Sequence, residues 1–122
     1  MRAAGTGLLL RNETTGSLLA TRAAIATSFL ERAVGLLSRS SLPDGEALIF
    51  PRVNAIHTWF MRFPIDVAFL QRGTVVRVVS GLEAFRMASA GEADAVVELP
   101  SGVLARTDTR VGHRLAWSPK SP

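Results

Sequence analysis

Apolar residues along the chain form short runs separated by turn residues, a pattern typical of strands rather than of long helices. The most apolar stretch is Ile56–Leu70, which contains ten apolar side chains and one proline. Pro64 divides it into two extended segments, because proline lacks an amide hydrogen and pushes the preceding residue away from helical geometry. This stretch is also the best candidate for a site. Its polar side chains are His57, Thr58, Arg62 and Asp66.

Asp66 is the only charged residue of the second extended segment. With a period of two, it shares a strand face with Ala68 and Leu70, so it lies among apolar side chains. A buried, unpaired carboxylate is costly, so an arginine or a set of hydrogen-bond donors must face it. Arg62 is the nearest arginine in the sequence. Asp66 is therefore either a site residue or a hydrogen-bonded hub that fixes strand register.

The hydrophobic pattern predicts a mainly β domain. A polar stretch containing Thr15-Gly16 and a turn at Arg72-Gly73 each predict a hairpin. The second hairpin pairs the end of Ile56–Leu70 with the strand that follows it. Beyond that stretch, the predicted strands are Leu8–Arg11, Leu18–Ala26, Glu46–Phe50, Val75–Ser80, Ala95–Leu99 and Arg114–Trp117.

Helical periodicity is clear in one place only. Ser28 and Glu31 form a capping box, after which apolar residues fall on one stripe as far as Arg39. Val103–Thr107 predicts a single helical turn. No period is visible in Gly81–Asp94, which predicts a surface loop long enough to act as a lid. The expected fold class is α+β, mainly β, with one short helix near residues 28–39.

Length and composition narrow the class of protein. The 122 residues fit one domain, expected over residues 1–117 with a flexible tail at 118–122. No apolar run reaches the roughly 18 residues of a membrane-spanning helix. The absence of cysteine excludes disulfides, thiolate nucleophiles and cysteine metal sites. Without a signal-peptide core, the chain is expected to be cytoplasmic, or periplasmic if a leader has been removed.

The net charge of +4 raises the question of an acidic partner. Thirteen of the fourteen basic residues are arginine, and they are spread from Arg2 to Arg114 rather than clustered. A GC-rich genome explains such a preference for arginine more simply than nucleic-acid binding does. The composition therefore gives little support to a nucleic-acid partner.

Four segments carry a resemblance to a known family: Arg32–Leu37 with Arg39, Ala47–Phe50, His57–Val67 and Val97–Gly102. In kind and order they resemble the DUF192 family, also called UPF0127, of uncharacterised small bacterial and archaeal domains. The resemblance implies a compact, barrel-like β domain with an antiparallel or mixed sheet and one short helix. It implies no established activity.

The chain departs from the family pattern at two positions. The family usually has Gly-Asp where this chain has Gly112-His113, which replaces a carboxylate by an imidazole. It often has Pro-Trp where this chain has Ala84-Phe85, which keeps an aromatic ring but loses the rigid proline. Many relatives carry an exported leader, so the resemblance leaves the compartment of this chain open.

Three functions compete on this evidence. The first is a non-catalytic binding or accessory module, whose pocket holds a small anionic ligand or a peptide. The second is a hydrolase-type enzyme with His57 and Asp66 as an acid-base pair. The third is a single-stranded nucleic-acid binder using Trp59 and Phe60. The residues expected to line the pocket of the first are His57, Thr58, Arg62 and Asp66, with Arg86 from the predicted loop.

The sequence gives no support for a metal site or a nucleotide cofactor. A metal site would need His57, Asp66 and His113 to converge, and their spacing gives no sign of it, so no metal is expected. No glycine-rich phosphate loop leads from a strand into a helix, so no nucleotide cofactor is expected. Glu98 is expected to point outward from its strand. The oligomeric state is left open.

Overall fold

The computed structural model describes residues 7–26, 42–58, 63–84 and 86–120. Within these ranges the chain forms nine strands and one short helix. The helix predicted near residues 28–39 lies outside the described residues. The strands are β1 (Leu8–Asn12), β2 (Leu18–Ile25), β3 (Glu46–Pro51), β4 (Ala55–His57), β5 (Ile65–Gln71), β6 (Thr74–Leu82), β7 (Met87–Ser89), β8 (Ala95–Pro100) and β9 (Leu115–Pro119), and the helix is α1 (Val103–Arg106).

Both predicted hairpins are confirmed, because β1 pairs antiparallel with β2 and β5 pairs antiparallel with β6. At the second turn Gln71 pairs with Thr74, and the φ angles of Arg72 and Gly73 between them are 50° and 86°. Two successive positive φ angles are what a two-residue type I′ turn requires. Such a turn matches the right-handed twist of the strands, so it sets the register of this hairpin.

Seven strands form one sheet in the order β6-β5-β8-β3-β2-β1-β9, while β4 and β7 form a second, two-stranded sheet. In the large sheet only β2 and β3 are parallel neighbours. The sheet curls until its edge strands meet at one end, where Thr74 bridges Arg114. There the N–H of Leu115 donates to the carbonyl oxygen of Gly73 at 2.8 Å. The predicted mainly β, barrel-like fold is confirmed as a curled half-barrel, with α1 as the short helix among the described residues.

Two apolar clusters lie on the two faces of the large sheet. The inner cluster takes residues from all seven strands, and α1 adds Val103 and Leu104. The outer cluster takes residues from β3, β5, β6 and β8, and it is covered by Ile56 of β4 and Ala88 of β7. Because β5 and β8 are covered on both faces, their sequences are nearly continuous apolar runs.

Three local expectations were wrong. Gly81–Asp94 is not only a loop, since it contains β7, which is too short to show a period and exists through its pairing with β4. Glu98 is fully buried rather than outward, because the face it shares with Val96 belongs to the covered side of β8. The last strand also takes in Ser118 and Pro119, predicted as tail, because both pair with β1.

Asn12 is a fully buried amide that joins the first hairpin to the chain before β9. Its Oδ1 accepts two backbone N–H groups of the β1–β2 turn, at 2.9 and 3.1 Å. Its Nδ2 donates to Oγ1 of Thr109 at 3.2 Å and lies 3.1 Å from Nδ1 of His113. The N–H of Arg110 also donates to that imidazole nitrogen. His113 therefore supplies a hydrogen-bond acceptor at the position where the family usually has an aspartate.

We predict that Asn12→Asp lowers the free energy of unfolding by about 2 kcal/mol, because the new carboxylate cannot donate to Thr109 or His113 and is buried beside acceptors. Urea denaturation measures this change. Asn54→Asp is the matched control, since Asn54 is exposed, and it should change the free energy by less than about 0.5 kcal/mol. Equal effects of the two substitutions would contradict the assignment.

Candidate functional site

Asp66 lies near the start of β5 and has 0% of its surface exposed. Its Oδ1 accepts the N–H of Gly81 at 2.9 Å. Its Oδ2 accepts the N–H groups of Gly102 at 3.1 Å and Leu104 at 2.9 Å. These donors belong to the end of β6 and to the residues that begin α1. One buried side chain therefore joins three parts of the fold.

The three hydrogen bonds explain how the buried charge of Asp66 is stabilised. Hydrogen bonds to a charged acceptor are stronger than those between neutral groups. The backbone φ angles of Gly81 and Gly102 are 64° and 98°, a left-handed region that glycine adopts without steric cost. The hydrogen-bond donors to Asp66 are therefore backbone N–H groups, and two of them belong to glycines. Arg62, the partner considered from the sequence, lies outside the described residues.

Thr58 follows β4 directly and is 1% exposed. Its hydroxyl donates to the carbonyl oxygen of Glu83 at 2.6 Å and accepts the N–H of Arg86 at 2.9 Å. Its own N–H donates to the carbonyl oxygen of Arg86 at 2.9 Å. Thr58 therefore holds the chain at Glu83 and Arg86 through both its side chain and its backbone.

His57 occupies the last position of β4, where it lies opposite Met87 of β7. The preceding pair, Ile56 and Ala88, is buried in the outer cluster. Because side chains alternate along a strand, His57 and Met87 face away from that cluster. His57 is partly buried, whereas Met87 is 67% exposed.

Arg77 of β6 gives β7 a further attachment. Its guanidinium lies 5.9 Å from the centroid of the Phe69 ring, within the range of a cation–π interaction. Its Nη1 donates to the carbonyl oxygen of Ser89. β7 is therefore held by β4 on one side and by a side chain of β6 as well.

These contacts converge on residues 81–84 and 86–87, which we term the 81–87 segment. Asp66 accepts the N–H of its first residue, Gly81. Thr58 bonds to the segment at Glu83 and Arg86, and His57 pairs with its last residue, Met87. The side chain of Arg86 is exposed on this segment. Of the residues predicted to form a site, the structure thus connects Asp66, Thr58, His57 and Arg86 through one piece of backbone.

The predicted acid-base pair occupies opposite faces of the fold. Asp66 alternates with Val67 and shares the inner face with Ala68 and Leu70, as the sequence predicted. His57 lies on β4, which covers the outer face of the same sheet. The carboxylate of Asp66 has no exposed surface, and its two oxygens accept three backbone N–H groups.

Glu98 is a buried carboxylate whose position the sequence analysis did not recognise. It lies opposite Leu48 of β3 and Val67 of β5, with 0% of its surface exposed. A signal for its burial was present in the sequence. The apolar run Ala95–Leu99 does not alternate with polar residues, which is typical of a strand covered on both faces, so a charge within it has to be buried as well.

The described ranges contain no group of three His, Asp or Glu side chains that could hold a metal ion. In the same part of the chain no helix has the length and apolar character needed to cross a membrane. A cleft of about 280 Å³ lies between the start of β2, Asp44 and Arg106. This cleft is lined by none of the residues predicted to form the site.

Comparison with known proteins decides the family. Residues 10–117 match the family model DUF192, described as "Uncharacterized ACR". The chain belongs to the DUF192 family. A UPF0127 protein from Pyrococcus furiosus is 32% identical to this DUF192 chain over 114 residues, which cover 88% of the chain and 96% of that relative. Another from Pyrococcus abyssi is 36% identical over 100 residues, covering 76% of the chain and 83% of that relative.

Two solved structures share the fold of this DUF192 protein. A protein of unknown function from Novosphingobium aromaticivorans aligns with a TM-score of 0.74 at 23% identity, covering 90% of this chain and 83% of its own. A protein from Sinorhizobium meliloti aligns with a TM-score of 0.78 at 18% identity, covering 96% of both chains. At these identities the likeness shows the fold alone.

We predict that Asp66→Asn lowers the free energy of unfolding by about 2 to 3 kcal/mol, because an amide offers one acceptor oxygen where the carboxylate serves three N–H donors with two. Urea denaturation measures the loss. Asp44→Asn is the control, since Asp44 is exposed and lies 3.7 Å from Arg106, and it should cost less than about 1 kcal/mol. An Asp66→Asn variant as stable as the unaltered DUF192 chain would exclude a structural role for the carboxylate.

Thr58→Val keeps the shape of the side chain but removes the hydroxyl that bonds to Glu83 and Arg86. We predict that amide hydrogen exchange at Arg86 becomes about fivefold faster or more, because its N–H loses its acceptor. Exchange followed by NMR measures this. Thr21→Val, on β2, should leave the rate at Arg86 unchanged. Unaltered exchange at Arg86 in the Thr58 variant would show that the backbone pairing alone holds the segment.

Proposed function

We propose that this DUF192 protein is a non-catalytic binding or accessory module for a small anionic ligand or a peptide. The proposed site comprises His57, Thr58, Asp66 and Arg86, together with Arg62, which enters on sequence grounds alone. Arg86 supplies the positive charge that contacts the anion, since an exposed guanidinium binds carboxylate or phosphate through two parallel N–H groups.

The observation that carries the proposal is the burial of Asp66 and Thr58 together with the hydrogen bonds that they make. Both are buried polar groups within the most apolar part of the chain. Thr58 bonds to the 81–87 segment at Glu83 and Arg86, and one of the three hydrogen bonds of Asp66 comes from the first residue of that segment. Buried polar groups that are fully hydrogen-bonded hold a segment in one conformation. A segment held in this way presents Arg86 with little conformational freedom in its backbone, which lowers the entropic cost of binding a ligand.

The hydrolase alternative has less support. It requires Asp66 to act on His57 or on a substrate, yet Asp66 is fully buried and bonded to three backbone donors. A general base has to lie within hydrogen-bond reach of the proton it removes. The buried position of Asp66 favours a positioning role, in keeping with a binding module.

Non-denaturing mass spectrometry of the protein purified from its native host tests the proposal. We predict an adduct on the unaltered protein that is missing from Arg86→Ala, because the anion loses its cation. Arg11→Ala is the matched control: it removes an exposed arginine from β1 and should keep the adduct. An adduct that survives in Arg86→Ala, or unaltered protein that carries none, would count against the proposal.

A further inference from the structure

Two arginines outside the proposed site have left-handed backbones. Arg52, after β3, has a φ angle of 60°, and Arg72, in the β5–β6 turn, has one of 50°. Residues with a side chain rarely adopt this region, and such strained positions are concentrated at functional sites. A type I′ turn favours Asn-Gly, so turn geometry does not account for an arginine before Gly73.

Asp94 holds the backbone of both arginines. Its carbonyl oxygen accepts the N–H of Arg52 at 2.7 Å, and its Oδ2 accepts the N–H of Arg72 at 2.9 Å. Asp94 directly precedes β8, which lies between β3 and β5 in the sheet. With neighbouring strands about 4.8 Å apart, the two arginines leave the sheet about 10 Å from each other, on either side of Asp94. From this separation two arginine side chains are long enough to contact one ligand placed between them.

The charges of these two side chains are not neutralised within the described part of the chain. Both are exposed, and neither forms an ion pair there. Three other exposed arginines form ion pairs: Arg106 with Asp44, Arg110 with Asp108 and Arg114 with Glu13. The carboxylate of Asp94 lies beside them but accepts the backbone N–H of Arg72.

We propose that Arg52 and Arg72 form a binding site for the phosphate group of a small phosphorylated molecule, such as a phosphate monoester or a diphosphate. Two guanidinium groups offer two pairs of parallel N–H donors, and the three oxygens of a terminal phosphate present more than one edge to which such a pair can bind. The two positive charges of Arg52 and Arg72 outweigh the single negative charge of Asp94, so the site attracts an anion. Nη1 of Arg114 donates to the carbonyl oxygen of Arg72 at 3.2 Å, which further fixes the backbone of Arg72.

This site is separate from the one proposed above. Asp66 lies near the first residue of β5, and Arg72 directly follows the last. Over a strand of seven residues the two positions are roughly 20 Å apart. The inference therefore stands or falls independently of the proposed binding function of the 81–87 segment.

Isothermal titration with inorganic pyrophosphate tests the inference. The variants are Arg72→Asn, which creates the favoured Asn-Gly turn, and Arg52→Gly, which removes the side chain from a left-handed position. We expect each to bind pyrophosphate at least tenfold more weakly, with a melting temperature equal to or above that of the unaltered protein, because backbone strain is relieved. Arg11→Asn, an exposed arginine on β1, is the control and should bind as the unaltered protein does.

The outcomes are distinct. Binding by either variant within twofold of the unaltered protein, or no binding by the unaltered protein at millimolar pyrophosphate, overturns the site. A single-stranded oligonucleotide that binds more tightly than pyrophosphate, with an affinity that falls steeply with salt, would overturn the assignment to a small molecule and identify a nucleic-acid backbone as the source of the phosphate.

Discussion

The hydrogen bonds from three backbone N–H groups to Asp66 are the interaction on which the proposed site depends. A carboxylate without exposed surface is stable only while its donors stay in place, so Gly81, Gly102 and Leu104 are fixed relative to β5. The end of β6 continues directly into the 81–87 segment. Arg86, five residues beyond the first of these donors, is held in addition by its own backbone hydrogen bonds to Thr58.

The polar residues of the proposed site divide into two groups. Asp66 and Thr58 are buried and bond to backbone, so they position the chain, whereas Arg86 is exposed and is available for recognition. This division explains why Ile56–Leu70, whose other side chains are mostly apolar, also contains polar residues. It also agrees with the proposal, in which Arg86 contacts the ligand while Asp66 and Thr58 stabilise the half-barrel behind it.

A second aspartate has a related role at the other end of the sheet. Asp94 accepts N–H groups of Arg52 and Arg72 and donates its own N–H to the carbonyl oxygen of Leu70 at 2.7 Å. It thereby joins the ends of β3 and β5 across β8. In both places the carboxylate of an aspartate accepts backbone N–H groups from a distant part of the chain.

The sequence by itself determined the strands, the two hairpins and the face on which Asp66 lies, because alternation and turn preferences act between residues close together in the chain. Only the tertiary structure decided which groups bond to Asp66, since its donors lie 15, 36 and 38 residues away. The same holds for β7, a strand of three residues that forms through its pairing with β4. Contacts between distant segments depend on how the whole sheet curls, and no local pattern carries that information.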